Sequence, residues 1–182
     1  MSVEPPASAY DMGHAVEAES LATFAILVDN EPGVLHRVVG MFSARGYNIE
    51  SLTVAETDHA ARTSRITVVT RGAPHVLEQI KAQLEKIIQV RAVVDVGADA
   101  EGVERELALF KVRGQGVERA EALRVADIFR ARVIDTTHES FIFELTGATS
   151  KIAKFETLMR PLGLVEVSRT GVLSIRRGPE RG

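Results

Sequence analysis

Asn30, Pro32 and Gly33 stand where chemistry is possible, between an apolar run, Thr23-Phe-Ala-Ile-Leu-Val28, and a stretch whose apolar residues change their spacing. Asn30 can turn or cap the chain, Pro32 fixes one backbone torsion, and Gly33 lets the backbone approach a ligand or another chain with no β-carbon in the way. A helix opening after Gly33 presents unpaired backbone N–H groups and a partial positive charge of about half a unit, which suits a carboxylate or phosphate. The junction therefore offers a small anion site. Most junctions built from Asn, Pro and Gly are turns only, and that reading stands beside it. The neighbouring carboxylates, Asp29 and Glu31, are expected to serve the helix dipole. Arg37 and Arg45 belong on a solvated helix face, within reach of neighbours or of a partner chain.

Other chemistry is thinly represented. The chain has no cysteine, which excludes disulfides, thiolate nucleophiles and cysteine metal sites. Its five histidines are His14, His36, His59, His75 and His138. None pairs with another His or a carboxylate at metal-ligand spacing on a helix face. Four fall in the tail, loops or turns, and His36 should face solvent, so neither catalysis nor metal binding is expected of them. There is no Gly-Xaa-Ser-Xaa-Gly and no Gly-Xaa-Gly-Xaa-Xaa-Gly; Gly114-Gln-Gly116 is a fragment of the latter and reads better as a turn. Arg176, Arg177 and Arg181 make a basic tail too short to be a nucleic-acid footprint.

The elements that must hold these residues follow from periodicity. Thr23–Val28 suits a buried strand, and Val34, Leu35, Val38, Val39 and Phe42 draw one stripe on a helix that Gly46 ends. From Asn48 to Glu56 the chain alternates, Leu52 and Val54 against Ser51 and Thr53, as a strand with one buried face. Thr57–Ser64 is a polar hairpin loop, and Arg65–Thr70 alternates again. A second helix carries Val76, Leu77, Ile80 and Leu84, and Ile87–Val96, with Ile88, Val90, Val94 and Val96, returns to the sheet. Strand, helix, strand, strand, helix, strand is the split βαβ order, a four-stranded antiparallel sheet with two helices on one face.

After a Gly- and acid-rich linker the order repeats. Glu106–Val112 is a strand; a helix follows with Ala122, Val125, Ala126 and Phe129 on one side. Arg132–Asp135 is the next strand, Thr136–Glu139 a turn, and Phe141, Phe143 and Leu145 the buried face of another. A helix over about 150–160 buries Ile152, Phe155 and Leu158, and Leu164–Ile175 returns as one bent strand or two short ones, with Gly171 inside. The fold class is α+β, two tandem ferredoxin-like (βαββαβ) units.

At 182 residues either one domain or two small ones can bury enough apolar surface to fold. A net charge of −3 and 45% hydrophobic content argue against a strongly basic nucleic-acid binder, and no apolar run reaches membrane-spanning length. RNA-recognition domains share the outline, but they stack bases on sheet aromatics. Here aromatics are only 5%, so the required aromatic and basic face is missing. Residues 1–20 are rich in Pro, Ala, Ser and Glu. They resemble neither a secretory signal nor an Arg-rich transit peptide, and read as a disordered acidic extension of a cytoplasmic chain.

The run Asn30-Glu-Pro-Gly-Val-Leu-His-Arg-Val-Val-Gly-Met-Phe-Ser-Ala-Arg-Gly-Tyr-Asn-Ile-Glu-Ser-Leu52 closely resembles the ACT domain of the small, regulatory subunits of acetolactate synthase (acetohydroxyacid synthase). Three further stretches are similar to that family: Val103–Leu107, Ile128–Asp135 and Arg169–Gly178. Met41 and His36 are small departures. The resemblance implies an ACT domain over 21–97, a linker over 98–102, a C-terminal ferredoxin-like domain over 103–178 and a tail over 179–182.

It also implies a non-catalytic partner of a large catalytic subunit, which itself holds thiamine diphosphate, Mg2+ and FAD and forms acetolactate from 2-keto acids. The small subunit would bind no cofactor, raise that activity and confer feedback inhibition by a branched-chain amino acid, valine foremost. ACT domains would pair as a homodimer into one eight-stranded sheet with the effector at the seam. The implied contacts are Asn30, Gly33, Val34 and Leu35 from one chain and Asn48 and Ile49 from the other. A free-standing amino-acid sensor acting on another enzyme remains the alternative, and an enzyme in its own right lacks any nucleophile or acid–base pair.

Overall fold

The change of period at Gly33 is where a strand hands over to a helix. The computed structural model describes residues 18–97 and 102–178, in which β1 (Ser20–Asp29) leads to α1 (Val34–Ala44), β2 (Ser51–Asp58), β3 (Thr63–Gly72), α2 (Pro74–Leu84) and β4 (Val90–Asp95). The second unit comprises β5 (Gly102–Arg113), α3 (Gly116–Phe129), β6 (Arg132–Thr136), β7 (Ser140–Gly147), α4 (Thr149–Met159), β8 (Leu164–Arg169) and β9 (Leu173–Arg176). Of the expected extension, residues 1–17 lie outside the described residues, as do 98–101 of the linker and the tail 179–182.

All pairings are antiparallel. The first sheet runs β2-β3-β1-β4 and the second β6-β7-β5-β8, the same ferredoxin-like order twice. In the first unit Phe24, Ile26, Ile66 and Val68 meet Val38, Phe42, Ile80 and Leu84 of the two helices. Each large apolar side chain so buried contributes about 1.5–3 kcal/mol. In the second unit Phe110 and Phe143 set their rings edge-on to Phe155 of α4, at centroid distances of 4.8 and 6.2 Å. Phe24, Phe141 and Phe143 are thus all core residues, and none offers a face to a base.

The stripes of β4 and α4 differ from their expected phase. In β4 the buried residue is Val93, and Ile88 lies before the strand, 89% exposed. The cause is a bulge: Leu27 pairs with Ala92 but Val28 with Val90, so Arg91 is an extra residue that turns Val90 and Val93 to one side. The same bulge recurs in β8, where Lys111 pairs with Glu166 and Val112 with Leu164. In α4 the third buried residue is Met159, and Leu158 is exposed. From Ile152 the helical period returns at Phe155 and Met159, whereas Leu158 falls on the far side.

The final run is two strands. β8 completes the second sheet, the chain turns at residues 170–172, and β9 pairs with the first residues of β5, Gly102–Arg105. That turn and β9 lie on the face of the first sheet opposite its helices. There Thr53 Oγ1 donates to the Val172 carbonyl at 3.2 Å, Val172 N–H donates to Ser51 Oγ at 3.0 Å, and Arg65 Nη2 donates to the Ser174 carbonyl at 2.7 Å. Thr23, Ala25, Thr67 and Val69 on this face are buried. The first sheet is therefore covered on both sides, which is why β1 reads as a continuous apolar run rather than an alternating one.

Candidate functional site

Gly33 is the residue on which the β1–α1 junction turns. Its φ is +88°, in the left-handed region, and a β-carbon placed there would meet no atom within 4 Å. The glycine is thus demanded by backbone conformation and not by crowding, and open space lies in front of it. It occupies the N-cap position without a side-chain hydrogen bond, so Asn30 does not cap α1. Instead Asn30 N–H donates to the Arg62 carbonyl at 2.7 Å, which leaves its exposed amide side chain uncommitted among the described residues.

Val34 N–H reaches the Glu31 carbonyl at 3.3 Å, and Arg37 N–H begins the helical ladder on the Gly33 carbonyl at 3.0 Å. The Leu35 and His36 N–H groups between them have no such partner among the described residues. Two amide donors at the positive end of an 11-residue helix, beside open space, are a fitting seat for a carboxylate. Val34 is committed to the core at 7% exposure, whereas Leu35 stands open at 38%.

Asp29 does other work than expected. Asp29 accepts from Arg91 Nε at 2.6 Å, tying the end of β1 to the β4 bulge, and no acidic residue lies in the first turn of α1. Arg37 donates to Gln89 at 3.1 Å and Arg45 to Gln83 at 2.8 Å, so both arginines bridge from α1 to α2 or to the segment that follows it.

The other implied pair lies elsewhere. Asn48 is exposed, and its carbonyl accepts from Thr70 Oγ1 at 2.6 Å; Ile49 packs partly against the helix-side core. Ser51, just beyond, is level with Val69 and Thr23, whereas Asp58 and Asp29 are level with Thr63 at the opposite end of the sheet. Six residues of β1 separate those levels, roughly 20 Å at strand rise. Within one chain, then, the structure brings Asn30, Gly33, Val34 and Leu35 together and holds Asn48 and Ile49 far from them.

The remaining candidates stay bland. His36 is exposed on α1. His59 sits in the β2–β3 turn, 3.1 Å from Glu56, and His138 in the β6–β7 turn. His75 lies inside the first turn of α2 rather than in a loop, and His14 falls outside the described residues. Among the described residues no group of three or more His, Asp or Glu is placed to hold a metal ion, and no helix is long and apolar enough to cross a membrane. Gly114-Gln-Gly116 is the turn from β5 into α3. A groove of about 620 Å³ is lined by Leu21, Phe24, Leu77, Lys81, Val93 and Arg176, at the other end of the sheet from Gly33, and none of the implied effector residues borders it. What the sequence reading missed is the docking of residues 170–174 on β2 and β3; the unbroken apolar run of β1 was its one signal.

Comparison with known proteins bears on both units. Residues 24–92 match the family described as the small subunit-like ACT domain of acetohydroxyacid synthase, and residues 105–178 match the small subunit of acetolactate synthase. A probable acetolactate synthase small subunit of Archaeoglobus fulgidus is 43% identical, over 87% of this chain and 98% of that one. The small subunit of acetolactate synthase isozyme 3 of Escherichia coli is 44% identical over 85% and 94%. Among solved structures, the acetolactate synthase small subunit of Thermotoga maritima superposes with a TM-score of 0.79 at 34% identity, covering 88% of this chain and 99% of that one.

Proposed function

Because this chain belongs to the family of acetolactate synthase small subunits, we propose that it activates a catalytic subunit and makes it sensitive to a branched-chain amino acid, valine foremost. The joining of two 2-keto acids, with thiamine diphosphate, Mg2+ and FAD, is assigned to that catalytic partner. This chain contributes residues 21–97 as the effector-binding domain and 103–178 as a second domain.

The observation that carries the effector site is the left-handed Gly33, with free amides at Leu35 and His36 beside open space. The effector's carboxylate sits on those N–H groups. Asn30 and Asn48 supply amides that face either the carboxylate or the ammonium. Leu35 and Ile49 wall the branched side chain, with Val34 bounding the site from beneath. A misfit of one methylene costs only about 1–3 kcal/mol, so valine, leucine and isoleucine are incompletely discriminated.

Symmetry would let these two distant groups of residues make one site. β2 is an edge strand. Pairing it antiparallel with the β2 of a second copy about a two-fold axis carries the partner's Asn48 and Ile49 to the end of the sheet where Asn30 and Gly33 lie. The sheet becomes eight-stranded and holds two equivalent sites.

Reconstitution with the catalytic subunit tests the reading. Gly33→Asp sets a carboxylate against a carboxylate, and Asn48→Ala removes an amide from the other side of the seam. Each variant is expected to abolish valine inhibition while activation survives. Retention of the parent's sensitivity in both would refute the assigned site, and failure of the parent to activate would refute the regulatory role.

A further inference from the structure

β2 is held mainly from one side. It pairs with β3 alone among the described residues, and of its helix-side residues Leu52 is half-buried and Val54 exposed. Its opposite face is gripped by a segment about 120 residues later in the chain. Ser51 Oγ accepts the Val172 N–H at 3.0 Å and Thr53 Oγ1 donates to the Val172 carbonyl at 3.2 Å, so two alternate hydroxyls of one strand hold both polar groups of a single peptide-chain residue. Val172 itself is 6% exposed.

The grip depends on Gly171. Its φ is +84°, and a β-carbon there would lie 2.7 Å from Ser51 Oγ and 3.0 Å from Thr53 Cγ2, so any side chain must displace the Ser51 hydroxyl that holds Val172 or move the turn, and is strained by the backbone conformation besides. The root of the turn is fixed just as firmly in the second sheet. Arg169 donates two hydrogen bonds, at 2.7 and 2.6 Å, to the buried carboxylate of Glu106. Thr170 N–H donates to the Leu107 carbonyl at 3.0 Å, and Leu107 N–H donates to Thr170 Oγ1 at 3.2 Å. The turn is thus rooted in one sheet and seated on the other.

Where it sits is the point. Ser51 is two residues beyond Ile49 and three beyond Asn48, and Glu50 between them donates to the Val69 carbonyl at 2.8 Å. The start of β2 is located by β3 along its edge and by the 170–172 turn on its face. We propose that Gly171 and Val172 position β2 for the amino-acid site, so that the C-terminal domain sets effector affinity without touching the effector. This rests on the seam reading given above. By linkage, whatever factor the seated turn adds to effector binding, the effector adds to seating of the turn. Occupancy at the seam is thereby passed to the C-terminal domain.

The test uses the full chain and three variants. Gly171→Ala crowds the seat. Thr53→Val removes the donor at nearly constant shape, and Thr53→Ser restores it. Valine binding is measured by calorimetry, and exchange of the β2 amides is followed in the same samples. Gly171→Ala and Thr53→Val are expected to weaken valine binding about fivefold or more, the scale of one hydrogen bond, and to speed exchange in β2; Thr53→Ser stays near the parent. Met159→Ala, which destabilises the second core away from the turn, is expected to lower the unfolding midpoint without changing valine affinity. Parent-like valine affinity in both Gly171→Ala and Thr53→Val would overturn the proposal, whatever β2 exchange shows. If the parent binds no branched-chain amino acid, the seam reading fails by itself. Exchange then decides the turn's role: faster exchange in the variants upholds positioning of β2, and unchanged exchange overturns it.

Discussion

A single torsion distinguishes Gly33 from its neighbours, and its consequences divide cleanly by substitution. Gly33→Ala adds a methyl to open space, so its cost is that of a left-handed alanine, about 1–2 kcal/mol. In a chain of this size that lowers the unfolding midpoint by roughly 2–8 °C. Gly33→Asp carries a smaller backbone cost, since Asp tolerates the left-handed region and the N-cap position better than Ala, yet it is expected to abolish valine binding because its charge faces the proposed position of the effector's carboxylate. A midpoint for Gly33→Asp no lower than that of Gly33→Ala, with valine binding lost only in Gly33→Asp, is the expected outcome, read by calorimetric scans and titration. A glycine of this kind is legible in a sequence, since Asn-Glu-Pro-Gly before an apolar stripe leaves few other backbone paths. Glu106 was not legible: a carboxylate in a strand reads as surface until its partner is known, and Arg169 lies 63 residues away. The guanidinium is held above its ordinary value, first by the hydrogen bonds to Glu106 and against the opposing effect of burial. A base raised in the folded state gives stability that is complete below its ordinary value and lost only as pH climbs past the raised one. The Arg169 contribution is therefore expected to stay constant through neutral pH. Glu106→Ala strands a partly buried cation and is expected to cost about 1–3 kcal/mol, visible as a lower midpoint in thermal scans.

Helices and strands reveal themselves by period, and the errors of phase come where one residue breaks it. Along α1 the expected stripe holds at Val34, Val38 and Phe42, but Met41 is buried where Leu35 was expected, because the helix presents its stripe toward β1 and β3 and leaves Leu35 at the junction. In α4 the same arithmetic favours Met159 over Leu158. Met159→Ala is expected to cost about 2–5 kcal/mol and Leu158→Ala less than about 1 kcal/mol, since only the first opens a cavity. Denaturation midpoints of the two variants would distinguish these values easily. The bulges at Arg91 and Val165 escaped notice because an inserted residue looks like ordinary alternation until the partner strand is laid beside it. Their recurrence at matching places shows that the two units share more than an order of elements. In the first unit the bulge also has a use, for it turns Arg91 toward Asp29 and steadies the end of β1 from which the Gly33 junction departs.

At the scale of the whole molecule, the arrangement that needs explaining is the separation of Asn48 and Ile49 from Gly33 by the length of a sheet. The proposed site, divided between two copies, would have a property that no site within one chain can imitate. Consider chains carrying Gly33→Asp mixed with chains carrying Asn48→Ala. In a mixed dimer one seam site receives both altered residues, while the other receives the intact Gly33 of one chain and the intact Asn48 of the other. Random pairing makes half of the dimers mixed, so roughly a quarter of all sites are whole. Neither homodimer is expected to bind valine, whereas the mixture, equilibrated long enough to exchange chains, is expected to recover about a quarter of the parent's binding stoichiometry at nearly the parent's affinity. Isothermal titration of the two variants separately and then together measures this directly. Recovery would place the effector between copies, as the antiparallel pairing of β2 with β2 requires. An inert mixture, from chains shown by sedimentation to have exchanged, would mean that Asn48 and Gly33 act from within one chain, and the two-fold seam would have to be abandoned.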